Sequence, residues 1–250
     1  MNTQKFTGKA VFYDISRPGY PEELKNFLVS EVFNKKGADD IVEFGAGTGI
    51  FSQVLLNLGC HVYAVEPNDH MRRQAEQKWL DNPWYHSVKG SAEHSNLPDS
   101  CADFVIAAQS FHWFETSYFK KEVRRLQKRK SPVVLLWNDP IENHPLNNAR
   151  DEFFRRFYPA YCTRQAYMED RMNKIQSFFA SYDRHTFINP DKIPVDIYIR
   201  RILSMSMALK PDDSDFPAFM EALQNLVNRF AVNGYIEDIY ETVVYDGFIE

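Results

Sequence analysis

The chain is poor in cysteine and glycine, carries no excess of one charge and has no long apolar run. Its three cysteines, Cys60, Cys101 and Cys162, lie far apart, with no Cys-x-x-Cys pair and no histidine at zinc-finger spacing. A disulfide framework and a structural zinc site are thereby excluded, and the thiols read as reduced. No trio of Asp, Glu and His marks any other metal site. Lys and Arg number 29 against 34 Asp and Glu, a formal net charge of −5, which argues against a general grip on phosphate backbones, so nucleic acid is not expected as a partner. No apolar run approaches the roughly 20 residues of a membrane span, and the first residues lack the charged start and apolar stretch of a secretory leader. The expectation is a cytoplasmic protein with no membrane partner. What is present is enough core: 44% hydrophobic and 15% aromatic residues in 250 predict one large globular domain, or one domain with an insertion.

The pattern changes near residue 139. Before it, β-rich runs at Ile41–Phe44, His61–Val65, Tyr85–Lys89, Asp103–Ala107 and Pro132–Trp137 alternate with helical stretches, which predicts a doubly wound parallel sheet with helices on both faces. Ile50, Val54, Leu55 and Leu58 recur at helical spacing until Gly59. Asn68 or Asp69 can cap a helix running to Trp79. Arg124, Arg125, Lys128, Arg129 and Lys130 gather at the end of a helix that starts near Glu115 and are expected to face water. Residues 139–182 read as helical and dense in aromatics. Arg184–Ile188 and Tyr240–Phe248 read as strands again, separated by helices at Pro190–Met207 and Asp212–Ala231. Glu241–Tyr245 alternates as an edge strand does, and antiparallel pairing with the Arg184 run is expected.

Three of the ten glycines, Gly45, Gly47 and Gly49, fall within five residues. They follow the strand ending at Phe44 and open the helix at Ile50, where backbone amides can face a ligand that a side chain would block. A dinucleotide fingerprint wants a small residue where Ile50 stands, and a phosphate-binding P-loop wants Gly-Lys-Ser or Gly-Lys-Thr there. Neither fits. An acidic residue two positions before the first glycine, Glu43, and another ending the second strand, Glu66, do form a pattern with the loop.

Val42-Glu43-Phe44-Gly45-Ala46-Gly47-Thr48-Gly49 resembles the first motif of the class I S-adenosylmethionine-dependent methyltransferases. The resemblance implies a Rossmann-like methyltransferase fold: a doubly wound, mostly parallel seven-stranded α/β sheet with an antiparallel edge strand and a helical lid insertion. It divides the chain into a cofactor-binding core with an N-terminal helical cap at residues 1–138, a lid and substrate insertion at 139–182, and the rest of the sheet with helices at 183–250. The cofactor implied is S-adenosyl-L-methionine, held by Glu43 near its cation, by Gly45, Ala46, Gly47, Thr48 and Gly49 along its body, and by Glu66 at the ribose diol. Asn68 and Met71 stand where the family lines ribose and adenine, and Ser91-Ala92-Glu93 resembles the segment that meets the adenine edge. Phe12–Pro21 is similar to the leader of a small-molecule branch that includes the trans-aconitate methyltransferase-like proteins. There Tyr13 and Arg17 would fold over the cofactor, although Arg17 also reads as part of a turn set by two prolines.

Ligands of a doubly wound sheet sit at the carboxyl ends of its strands, so Gln109 to Phe114, after the fourth strand, should border the transferred methyl group. Gln109 can contact the methionine part of the cofactor, and Phe111, Trp113 and Phe114 either wall the pocket or pack the core. His112 is the candidate general base for a hydroxyl acceptor, with a local orienting role as the alternative. Tyr158, Tyr161 and Tyr167 are candidates to face the acceptor. The function expected is methyl transfer to a small molecule, carboxylate or hydroxyl, by a monomer or homodimer. The alternatives are a nicotinamide-dependent oxidoreductase and a catalytically silent cofactor-binding module of the same fold.

Overall fold

The computed structural model describes residues 17–33, 39–158, 164–205 and 208–250. Strands β1 (Asp40–Phe44), β2 (His61–Val65), β3 (Tyr85–Val88), β4 (Phe104–Ala108), β5 (Val133–Pro140), β6 (Ser181–Pro194) and β7 (Tyr235–Phe248) form one sheet in the order β3-β2-β1-β4-β5-β7-β6. β1 to β5 are parallel, and β7 runs antiparallel to both β5 and β6. The strand order reverses between β1 and β4, which opens a crevice at their carboxyl ends.

The inner strands are continuous apolar runs because both faces of the sheet are covered. Val42, Phe44, Val105, Ala107, Val133 and Leu135 enter one core, while Ile41, Val62, Ala64, Ile106, Val134 and Leu136 enter the opposite one. Helices α1 (Glu22–Phe27, continued by a π-helical turn at Leu28–Val32) and α2 (Ile50–Asn57) close the second face. Helix α3 (Asp69–Lys78) follows β2, and α4 (Thr116–Leu126) covers the first face.

Helices α5 (Pro145–Phe157) and α6 (Arg164–Phe178), which occupy the stretch read as a lid, pack in different places. Phe178 of α6 stacks on Phe119 of α4, with ring centroids 5.2 Å apart, and so belongs to the first sheet core. Phe153 and Phe154 of α5 instead join Tyr198 and Ile202 of α7 (Val195–Ser204) and Phe219 and Leu223 of α8 (Phe216–Phe230) in a third core. The outer ends of β6 and β7 supply its Ile193 and Ile236.

Residues 190–194, expected to begin a helix, complete β6 instead, and the helix starts at Val195. Pro190 and Pro194 are accommodated because β6 bonds to a neighbour on one side only. The antiparallel pairing lies at this edge of the sheet as expected, but Tyr240–Phe248 itself is one strand in from the rim. Val243, Val244 and Tyr245 are buried accordingly.

Arg124, Lys128, Arg129 and Lys130 at the end of α4 are exposed, as expected, and acidic partners reach the run from elsewhere in the chain. Arg125 donates to Glu122 at 2.6 Å and to Asp99 at 2.6 Å, and Lys128 reaches Asp40 at 2.6 Å and Asp103 at 2.9 Å. Glu122 is 6% exposed and also accepts from the Ser95 amide at 2.8 Å. Burial alone would raise its carboxyl, but the bonds from Arg125 and Ser95 outweigh burial and hold it down to about 2. A carboxyl lowered in the folded state stabilises the fold above its unfolded value of 4.5, and that contribution is lost as the pH falls toward 2. Thermal melts of wild type and Glu122→Gln between these limits should show a steeper acid-side fall in Tm for wild type. Parallel curves would remove Glu122 from the acid response.

Candidate functional site

The crevice between β1 and β4 opens into a cavity of about 490 Å³, within the range of roughly 300–1,000 Å³ typical of small-molecule sites. One wall is the glycine loop. Gly45 has φ +67°, and a β-carbon there would stand 2.5 Å from Cβ of Ser110, so the loops after β1 and β4 approach as they do only over a bare backbone. Ser110 Oγ donates to the Phe44 carbonyl at 2.7 Å across this contact. Gly47, at φ +60°, lines the cavity, and a β-carbon built there meets nothing within 4 Å: the position is open toward the cavity. Gly49 is outside the lining and caps α2 beside Trp79.

Glu66, 8% exposed, ties this loop to the end of β2. One carboxylate oxygen accepts from the Gly47 amide at 2.9 Å and the other from the Asn68 amide at 2.8 Å. Burial raises its pKa, and these two amides act against the rise. Asn68 caps α3 as expected, its Oδ1 accepting from the His70 and Met71 amides at 3.0 and 3.1 Å. Met71 and Ala92 complete this side of the cavity.

Glu43 lines the same wall but departs from the expected free carboxylate. It is 1% exposed and bonded to Ser52 Oγ at 2.5 Å. Burial pushes its pKa to about 8, the Ser52 bond acting against this and the Glu66 charge adding to it. At neutral pH it is mostly the uncharged acid. Glu93, assigned to the adenine edge, is not in the lining, because it accepts from the Glu115 amide at 3.1 Å at the start of α4.

The opposite wall comes from the segment after β4. Gln109 lines the cavity with φ +59°, a left-handed conformation rare for a side chain of its size, while its amide donates to the Leu136 carbonyl at 2.9 Å. Trp113 and Phe114 face the cavity, but Phe111 does not: fully buried, it packs among Trp137, Phe119 and Phe178. His112 lines the cavity, and its Nδ1 is 3.3 Å from the Trp137 indole nitrogen. Burial lowers its pKa to about 4, with the Arg171 and Lys174 cations contributing. At neutral pH the imidazole is therefore uncharged and weakly basic.

Of the tyrosines, Tyr167 lines the cavity, Tyr158 packs beside the third core instead, and Tyr161 and Tyr13 lie outside the described residues. Arg17 lines the cavity with Pro18 and Tyr20. Their placement is set by Gly19, whose carbonyl accepts from Asn138 at 3.0 Å and Asn189 at 2.8 Å. Asn138, Arg150, Asp151, Phe154 and Tyr240 also reach the cavity and were not read from the sequence. Asn138 had a signal, its place in the last turn of residues of β5. Arg150 had none, since an arginine that pairs inside a core with Asp238 at 3.1 Å looks like any surface helix arginine in sequence. Among the described residues no group of three His, Cys, Asp or Glu can hold a metal ion.

Comparison with known proteins locates the likeness in this half of the chain. The family described as a methyltransferase domain matches residues 42–135. An uncharacterized methyltransferase-like protein of Schizosaccharomyces pombe is 32% identical over 134 residues, 53% of this chain and 51% of that protein. An uncharacterized methyltransferase of Mycobacterium bovis is 29% identical over 126 residues, 50% and 49%. The chain thus spans about half the length of the curated relatives it matches. A solved structure assigned as a type II methyltransferase from Anaeromyxobacter dehalogenans superposes with a TM-score of 0.69, at 20% identity over 93% of this chain and 97% of that one. The fold is the α/β methyltransferase fold, and residues 42–135 match the methyltransferase-domain family, whose cofactor is S-adenosylmethionine.

The site fits that cofactor: a bare-backbone cradle at Gly47, a buried carboxylate at Glu66 and an apolar floor at Met71. Glu43 provides a check on the electrostatics. A carboxyl whose pKa is raised by folding stabilises the fold below its unfolded value of 4.5 and loses that contribution as the pH rises toward 8. Glu43→Gln, which keeps the bond to Ser52 without a titrating proton, should flatten the fall in Tm over this window. An unchanged slope would place the titration elsewhere.

Proposed function

We propose that the chain is an S-adenosylmethionine-dependent methyltransferase acting on a small-molecule acceptor, carboxylate or hydroxyl, in the manner of the trans-aconitate methyltransferase-like branch. The observation that carries this reading is the Gly47–Glu66 pair at one end of a cavity whose other end is walled by Gln109, His112 and Trp113. Bound there, the cofactor supplies an electrophilic methyl group. Glu66 accepts the ribose hydroxyls with its remaining lone pairs, and Gly47 and Thr48 lie along the cofactor body. Gln109 takes the methionine part, held in place by its strained backbone.

On the acceptor side Arg17 brings positive charge to the cavity, which favours an anionic group. An ionised acceptor needs no base, so alignment supplies most of the rate, in keeping with the low basicity of His112. Phe114, Trp113 and Tyr167 keep water from the reacting atoms. The same reading takes the protein as cytoplasmic, a monomer or homodimer, without nucleic-acid or membrane partners. Against a nicotinamide cofactor stands Ile50, which lines the cavity where the dinucleotide fingerprint needs a small residue.

Calorimetric titration with S-adenosylmethionine and S-adenosylhomocysteine tests the reading, with NADH as the control. Micromolar binding of the first two and none of NADH is expected. Glu66→Ala should weaken S-adenosylhomocysteine binding by about 1.5–3 kcal/mol, roughly 10- to 150-fold in Kd. Tight NADH binding with no S-adenosylhomocysteine binding would overturn the assignment.

A further inference from the structure

The indole nitrogen of tryptophan only donates hydrogen bonds. Trp137 Nε1 lies 3.3 Å from Nδ1 of His112, so that nitrogen must be the acceptor and carry no proton. A neutral imidazole with a bare Nδ1 carries its single proton on Nε2. Among the described residues the structure gives Nε2 no hydrogen-bond partner, and His112 lines the cavity.

The surroundings hold this state in place. Trp137 is 2% exposed on β5, and the Arg171 guanidinium lies over its ring, 4.5 Å from the centroid. Arg171, wholly buried on α6, is locked to Asp139 by bonds of 2.8 and 2.5 Å. Lys174, one turn further along α6, donates to the His112 carbonyl at 3.0 Å, and Tyr167 sets its ring edge-on to the imidazole at 5.7 Å. The groups facing His112 are therefore Arg171, Lys174 and Tyr167 from α6, with Asp139 of β5 engaged by Arg171 and Asp170 of α6 near Lys174 at 3.9 Å. Two cations beside the ring oppose its protonation.

We infer that Trp137 is a positioning residue that fixes His112 as a neutral hydrogen-bond donor, its Nε2–H directed to the acceptor side of the cavity. The consequence for catalysis rests on the methyltransferase reading above: the acceptor group that meets His112 presents a lone pair, and its reacting atom arrives already without its proton. The lone pair of that atom forms the new bond to the methyl carbon, the carbon–sulfur bond breaks with its electrons going to sulfur, and the proton count of His112 does not change.

The tautomer can be read directly. Long-range nitrogen–proton spectra of the full chain, labelled with ¹⁵N-histidine and recorded with and without S-adenosylhomocysteine, are assigned for His112 by the signals lost in His112→Gln. The expected pattern is a bare Nδ1 and a protonated Nε2, holding until the pH nears 4. In Trp137→Phe, checked for folding by circular dichroism, the two nitrogens should move toward the averaged shifts of mixed tautomers. The same bond is visible from its other end in case that variant does not fold. The Trp137 indole proton should shift upfield in His112→Leu and keep its position in His112→Gln, whose carbonyl can still accept.

A protonated Nδ1, a charged ring at neutral pH, or an indole proton indifferent to His112→Leu would overturn the inference. Absence of S-adenosylhomocysteine binding alongside the expected tautomer would support the positioning role and remove only the methyltransferase reading.

Discussion

One carboxylate spans the loops that end β1 and β2. Glu66 takes the Gly47 amide on one oxygen and the Asn68 amide on the other, so the glycine loop and the start of α3 are held by the same group. The loop has left-handed backbone at Gly45 and Gly47, a geometry that needs a fixed anchor because glycine loses more conformational freedom on folding than other residues. The anchor is buried, and its two amides offset the penalty of burying a charge. Ser110 on the Phe44 carbonyl adds the second tie, from the loop after β4. Both walls of the cavity are in this way referred to the end of β1.

The acceptor side is built on a different principle. There a buried ion pair, Arg171–Asp139, sits under an aromatic ring rather than in the cavity itself. Such a pair contributes little net stability over an apolar replacement, yet removing one partner leaves an uncompensated charge. Its effect is better sought in what it orients. It places a cation against the indole that bonds His112 and draws α6 against the segment after β4, so the electrostatics of the cavity wall and the docking of a helix have one source.

Legibility followed locality. The glycine loop, Glu66 and the Asn68 cap lie within one strand-helix-strand unit, where spacing along the chain is also spacing in space, and all were readable. The inner strands β1, β4 and β5 were readable for a similar reason, as apolar runs covered on both faces. What was not readable depends on distant partners. Glu43 becomes an acid because the core buries it beside the Glu66 charge, against the opposing bond from Ser52. Phe111 turns into the core while Phe114, three residues on, turns to the cavity, and the turn of 3₁₀-helix at Phe111–Trp113 that separates them has no sequence signature here. Glu93 is engaged by a backbone amide 22 residues away. The basic run after α4 faces water as read, but its partners Asp40, Asp99 and Asp103 come from elsewhere in the chain and left no local signal. Pro190, read as the start of a helix, lies in a strand because only one of its neighbours is a strand.

The third core has a consequence for how such a protein can change. α5, α7 and α8 bury their aromatics against one another and the outer ends of β6 and β7, apart from the two cores that flank the sheet. Phe154 comes to the cavity from that core and Arg150 from the same helix α5, while the glycine loop comes from the sheet. The cavity therefore lies along a seam between the sheet cores and the third core, which β7 joins through Val243, Val244 and Ile236. A substitution within the third core reshapes the far bank of the cavity first, while the glycine loop keeps its anchors in the sheet. The family-model match, at residues 42–135, falls on the near bank of that seam.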